Sequence, residues 1–237
     1  MSEKPFLYPG LDHNERRANL YLAQSLSTEE SLREQPNMGF KVNLDHAILW
    51  GTDYIREVQE FGRPVFVDLK MNNGARTMSH VVEELVDMKV KYVNIWSLAD
   101  HLMKPAAKIT RGSETQLLAM TVYTHYDDEY CMKIFNKSLK ETVRMFAEMG
   151  LENGADGIIL PGTTLDMVTD LNCPKIVPAS RPLWFPNRGA NDQEQTVTPT
   201  EAVKGGATVI VCGSPIHGSD NPPAASLRVY NEMMKAA

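Results

Sequence analysis

Short β-branched runs alternate with amphipathic helical ones from one end of the chain to the other, and that alternation leaves very few folds open. Strand-like runs lie at residues 6–11, 39–44, 64–70, 92–96, 116–124, 156–160, 175–178 and 208–212. Helical spacing fills the gaps at 14–33, 53–60, 78–88, 138–149 and 199–204, and a helix over 222–235 closes the chain. Leu20, Leu22 and Leu26 mark the inward face of the first helix, and Val81, Val82, Leu85 and Met88 that of the third. Thr198 supplies a cap and Pro199 a first-turn proline just ahead of the last strand. Strand and helix in strict alternation imply a parallel sheet with right-handed crossovers. Eight such units close as an α/β barrel, the (β/α)8 or TIM barrel. A doubly wound open sheet is the competing architecture, and the count of eight disfavours it. With no linker, low-complexity run or repeat in 237 residues, residues 1–237 read as one barrel domain.

Composition sets the function classes. A hydrophobic share of 43% with 23% charged residues allows a full core. The net charge of −6 argues against a nucleic-acid-binding surface, while a local cationic pocket could still take an anionic small molecule. Cys131, Cys173 and Cys212 are too widely spaced for a metal or disulfide framework and read as small apolar residues. The first residues lack the apolar stretch of a signal peptide, and no run reaches the roughly 18 residues of a membrane span. The expectation is a cytoplasmic protein with no membrane partner.

Charge is concentrated where a barrel keeps its chemistry. In Phe66-Val67-Asp68-Leu69-Lys70, alternation points Asp68 and Lys70 the same way. Lys41 stands in a second run of the same kind, and Asp12 and Thr124 fall at or just beyond two further strand ends. Two lysines with a carboxylate between them suit a reaction that creates negative charge on carbon, because an ammonium stabilises the anion and can deliver the proton that quenches it. The carboxylate keeps both lysines charged. An ordinary ion-pair network at a barrel rim is the structural alternative. His46, His80, His101, His125 and His217 show no metal-ligand spacing, and His125 is placed to enter the pocket after Thr124. Asp127, Asp128 and Glu129 read as a helix first turn.

These residues resemble the orotidine 5′-monophosphate decarboxylase family, barrel enzymes that remove CO2 from a pyrimidine nucleotide. The family's hallmark is a lysine after strand two and Asp-x-Lys-x-x-Asp after strand three, and Lys41, Asp68 and Lys70 match it in order. Leu11-Asp12, the run 117–124, Gly154-Ala155-Asp156-Gly157, Pro178-Ala179-Ser180-Arg181-Pro182, Asn191-Asp192-Gln193, Thr198-Pro199 with Glu201-Ala202, and Asp220-Asn221-Pro222 extend the likeness over nearly the whole chain. The resemblance implies decarboxylation of orotidine 5′-monophosphate to uridine 5′-monophosphate without a cofactor or metal, Lys70 being the proton donor to C6. It further implies that Asp12 holds the ribose, that the hydroxyl at Thr124 contacts the base and that Gln193 contacts the phosphate. The assembly implied is a homodimer with active sites at the shared interface. Related sugar-phosphate enzymes typically carry a metal-binding glutamate where this chain has Lys41, which favours the nucleotide reaction.

The chain departs from the family pattern at two places. The second aspartate of the motif is Asn73, at the position the family contributes across the dimer interface, so the array is expected to carry two lysines against one carboxylate. The Gly-Arg that ends strand eight in the family is Gly213-Ser214 here, which removes a forked arginine contact and leaves backbone N–H groups to meet the phosphate. Arg181 or Arg188 is placed to compensate. A softer change is Trp96-Ser97, where the family usually has His-Ala. Two other readings follow from the departures: a lyase of the same superfamily acting on a different acid, or a non-catalytic ligand-binding homologue.

Overall fold

The computed structural model describes residues 4–186 and 195–237. Eight strands form one sheet in which all neighbours are parallel. They are β1 (Phe6–Pro9), β2 (Phe40–Asn43), β3 (Val65–Met71), β4 (Tyr92–Trp96), β5 (Gln116–Met120), β6 (Gly157–Ile159), β7 (Lys175–Val177) and β8 (Val209–Cys212). Strands β2 to β8 neighbour one another in sequence order, and β8 pairs with β1. Only isolated bridges join β1 to β2: Leu7 meets Met38, and Gly10 meets Lys41. The expected barrel is therefore present, with a thin closure at one seam.

Alternation along the strands sorts the apolar residues into two cores. In β3, Val65, Val67 and Leu69 join the core between barrel and helices, while Phe66 joins the barrel interior. That interior is filled below by Tyr8, Phe66 and Tyr92, whose ring centroids are 6.4, 5.7 and 6.0 Å apart. Leu118, Met120, Ile159, Ile176, Val209 and Val211 complete it. Of the three rings Phe66 borders the cavity above, where Met120, Ile159, Ile176 and Val211 join it as an apolar floor.

Helical boundaries follow local chemistry. Helix Leu139–Glu152 opens with a capping box between Ser138 and Glu141, and Pro199–Lys204 with another between Thr198 and Glu201. Region 14–33 is not one helix; it divides at Glu29, whose ψ of 122° is extended, into Arg16–Thr28 and Glu30–Arg33. Helix Leu44–Gln59 begins well before the predicted residue 53, because Gly51 at φ 69° breaks the regular spacing inside it. The run expected as a strand over 116–124 stops at Met120. Thr121 still donates its N–H to the Ile159 carbonyl at 2.9 Å, but Thr124 stands on the loop beyond. A 3-10 segment, Ser97–Met103, and helix Lys104–Thr110 follow β4 and were not expected from the pattern; each is too short to show an apolar period. No helix among the described residues is long and apolar enough to cross a membrane.

Candidate active site

Above the apolar floor, β2 and β3 turn charged side chains inward. Lys41, Asp68 and Lys70 line a cavity of about 240 Å3 together with Asp12, Asn43 and Thr124. Lys70 Nζ donates to Asp68 Oδ2 at 2.6 Å, and Lys41 Nζ lies 3.8 Å from the same oxygen. Lys41 also donates to Asp12 Oδ1 at 3.2 Å. The predicted three-residue array is thus assembled, and Asp12 joins it. The side chain of Lys41 is 8% exposed and that of Lys70 32%, so Lys70 is the lysine that faces the open volume.

Two asparagines extend the array at its ends, and sequence reasoning passed over both. Asn43 accepts from Lys41 Nζ and donates to Asp12 Oδ1 at 2.7 Å. Asn94 donates to Asp68 Oδ1 at 2.7 Å and accepts the backbone N–H of Lys70 at 2.7 Å. The signal was available: Asn43 is two residues on from Lys41 in the same strand, and Asn94 is an amide in the middle of the otherwise aromatic and aliphatic run Tyr92-Val93-Asn94-Ile95-Trp96. Tyr123 lines the cavity and was likewise not foreseen.

The backbone under Lys70 is unusual. Val67 pairs with Val93 and Met71 with Ile95, so three residues of β3 stand opposite Asn94 alone. Lys70 takes a φ of 48°, a left-handed conformation that costs a non-glycine residue roughly 1–2 kcal/mol. Such strain persists where the surroundings over-determine it.

Burial alone would push the Asp68 carboxyl up. The charges of Lys70 and Lys41, with hydrogen bonds from Lys70 and Asn94, outweigh it and hold Asp68 below the usual carboxylate range. Burial, then the Asp68 charge, pushes the Tyr123 phenol up, leaving it an un-ionised donor. His217, behind Asp12, is pushed down by burial, with Asp12 acting in the opposite sense.

Thr124, Arg181, Gly213 and Ser214, all predicted, also line the cavity, as does His125. Arg181 is 2% exposed. Gly213 abuts the array: a Cβ there would lie 2.7 Å from Asp12 Oδ2, so the Asp12 carboxylate would have to shift. Asn73 does not reach this cavity; it is exposed, and its Oδ1 accepts the Gly74 N–H at 2.8 Å. Trp96 does not line it either: its indole N–H donates to the Thr121 carbonyl at 2.8 Å, and its ring packs on Tyr123 at 5.4 Å. Gln193, Arg188, Asn191 and Asp192 lie outside the described residues. Among the described residues, no three His, Cys, Asp or Glu side chains converge as a metal site.

The arrangement places two ammonium groups and two carboxylates along one wall of a pocket whose floor is apolar. In such surroundings charge–charge interactions are stronger than in water. Negative charge developing near Lys70 would be stabilised there and could be quenched by its proton.

Comparison with known proteins agrees with this geometry. A model of the family described as "Orotidine 5′-phosphate decarboxylase / HUMPS family" matches residues 5–229. The orotidine 5′-phosphate decarboxylase of Methylacidiphilum infernorum is 35% identical over 179 residues, covering 75% of this chain and 78% of that one. That of Nitrobacter winogradskyi is 30% identical over 202 residues, 83% of this chain and 82% of the relative. The crystal structure of orotidine 5′-phosphate decarboxylase from Lactobacillus acidophilus superposes with a TM-score of 0.78 at 23% identity, over 98% of this chain and 99% of its own, and supports the barrel fold.

Proposed function

The chain belongs to the orotidine 5′-phosphate decarboxylase / HUMPS family, and on that premise we propose that it is a carbon–carbon lyase converting orotidine 5′-monophosphate to uridine 5′-monophosphate, a step of pyrimidine biosynthesis. The observation that carries this reading is the Asp12–Lys41–Asp68–Lys70 array on the cavity wall. The bond from C6 to the substrate carboxylate breaks, CO2 leaves, and the electron pair stays on C6. Lys70 gives that carbon its proton and is reprotonated from solvent. No cofactor enters the balance.

Lys70 is the donor in this reading because it is the more open lysine and its Nζ is held against Asp68 at 2.6 Å. Lys41, held between Asp12 and Asp68, orients the array. Asp12 takes the ribose and Thr124 the base. Arg181, Gly213 and Ser214 form the phosphate end. A lyase acting on a different acid is the second reading, favoured by Ser214 standing where the resembled family has arginine.

The working form in this proposal is a homodimer in the cytoplasm. Exposed apolar residues support the pairing: Leu44, Ile48 and Leu49 follow β2, and Leu98 and Leu102 follow β4. They flank the loop after β3 that carries Asn73, which would enter the partner's site. Three cysteines without a disulfide suit a reducing compartment.

Turnover of orotidine 5′-monophosphate, followed as loss of absorbance, tests the reading in the wild type and Lys70→Ala. Turnover that vanishes with Lys70 supports it. An inactive wild type that binds a pyrimidine nucleotide tightly, or a fully active Lys70→Ala, overturns it.

A further inference from the structure

We propose that Asn94 is a positioning residue for the reaction, fixing Asp68 and the strained Lys70 backbone through the two ends of one amide. The inference rests on the proposed function for its catalytic meaning, and on the geometry of β3 and β4 for its substance.

A side-chain amide in the middle of an inner strand is costly to bury unless both its oxygen and its nitrogen find partners. Asn94 is 0% exposed. Its two partners belong to the charged array. The nitrogen donates to Asp68 Oδ1, the carboxylate oxygen that neither lysine occupies. The oxygen accepts the N–H of Lys70, in the stretch where the β3–β4 register shifts. A single planar group thus ties the carboxylate to the backbone that carries the ammonium, and it does so where Lys70 is held at φ 48°. Two residues apart in sequence, Asp68 and Lys70 would otherwise be free to rotate independently. Clamped, they present the ammonium at 2.6 Å from Asp68 Oδ2, the carboxylate's other oxygen.

The clamp has an electrostatic consequence. Asp68 is faced by Lys41 from β2, by Lys70 from its own strand, by Tyr123 from the loop after β5 and, through Lys41, by Asp12 with His217 behind it. Asn94 donates to Asp68 as a neutral amide, so deleting it removes a group that favours the carboxylate form without changing any charge.

The test uses the full-length protein, comparing wild type with Asn94→Ala and Asn94→Ser. The Asp68 side-chain carboxyl is titrated by carbon NMR, and kcat and KM for orotidine 5′-monophosphate are measured across pH. A clamp predicts that Asp68 titrates at higher pH in both variants and that the acidic limb of kcat/KM moves up with it. It also predicts that kcat falls on the order of 10- to 100-fold, as misplacement of reacting groups does, with KM nearly unchanged. Folded variants in which the Asp68 titration and the acidic limb stay at their wild-type positions overturn the proposal, even if they are slower. Should Asn94→Ala fail to fold, Asn94→Ser is judged on the same criteria. A wild type with no turnover would overturn the functional reading alone, and the Asp68 titration would still decide the role of Asn94.

Discussion

Lys41 Nζ lies 3.2 Å from Asp12 Oδ1, pairing a lysine inside β2 with a carboxylate from the turn after β1. The pairing changes the charge balance expected from sequence. Counted within the Lys41, Asp68, Lys70 and Asn73 motif, two lysines stood against one carboxylate; within the folded chain they stand against two. The exchange of a motif aspartate for Asn73 therefore leaves the array neutral.

Asp12→Asn tests that balance. The amide keeps a contact for a ribose hydroxyl but strips a counter-charge from the buried Lys41. The expected outcome is a fall in kcat/KM of about 100-fold, corresponding to roughly 2.7 kcal/mol. Steady-state kinetics on orotidine 5′-monophosphate would check it, and a wild-type kcat would remove Asp12 from the array's function.

Asn73→Asp restores the motif's second carboxylate on an exposed loop. In a homodimer with shared sites it should raise kcat/KM about tenfold, by the usual conversion of roughly 1.4 kcal/mol. Kinetics paired with a measurement of oligomeric state would check this. An unchanged or lower rate in a dimeric protein would mean that the array closes through Asp12 within each chain.

Ser214→Arg places a forked cation at the lining of the cavity. A phosphate bound there would gain a charge-assisted pair, and KM for the nucleotide should fall about tenfold with kcat little altered. The dephosphorylated nucleoside, assayed in parallel, should show no such gain. Equal effects on both substrates would put the phosphate elsewhere.

Asp68 links the array to acid stability. Its folded carboxyl is held below its ordinary value, so the unfolded chain binds the proton first as pH falls. The stabilisation is fully present above the unfolded carboxylate value of about 3.9, and it is lost as pH falls through the lower folded value. Urea midpoints measured from pH 6 down to pH 3 should therefore drop more steeply for wild type than for Asp68→Asn. That variant should also be less stable at neutral pH, because Lys70 loses its carboxylate partner and Lys41 keeps only that of Asp12. Parallel pH profiles would count against the assignment.

The barrel was legible because each of its signals is local. Lys41, Asp68 and Lys70 could be read as a set because alternation puts them inside, and strand order puts β2 next to β3. Thr124 was legible as a pocket residue but not as a loop residue, since the apolar run through Val122 continues past the last ladder bond of β5. The amides were harder. Their strand positions were readable, but the contacts that give them a role, from Asn43 to Asp12 31 residues away and from Asn94 to Asp68 26 away, are not encoded in any local spacing. The Lys70 backbone conformation was hidden for a related reason: it depends on a register shift between two strands, and no glycine marks it.

The thin closure between β1 and β2 gives the Asp12–Lys41 pair a second duty. Lys41 stands at one of the two isolated bridges, and its carbonyl accepts the Leu11 N–H at 3.0 Å, one residue before Asp12. The same two residues would rivet the cylinder shut and arm its chemistry, so the enzyme has one point of failure for shape and for activity. Mild denaturant should unzip this joint before the continuous ladders elsewhere give way. Amide exchange at Leu7, Leu11 and Gly39 would then rise with the loss of turnover, while the rest of the sheet stays protected.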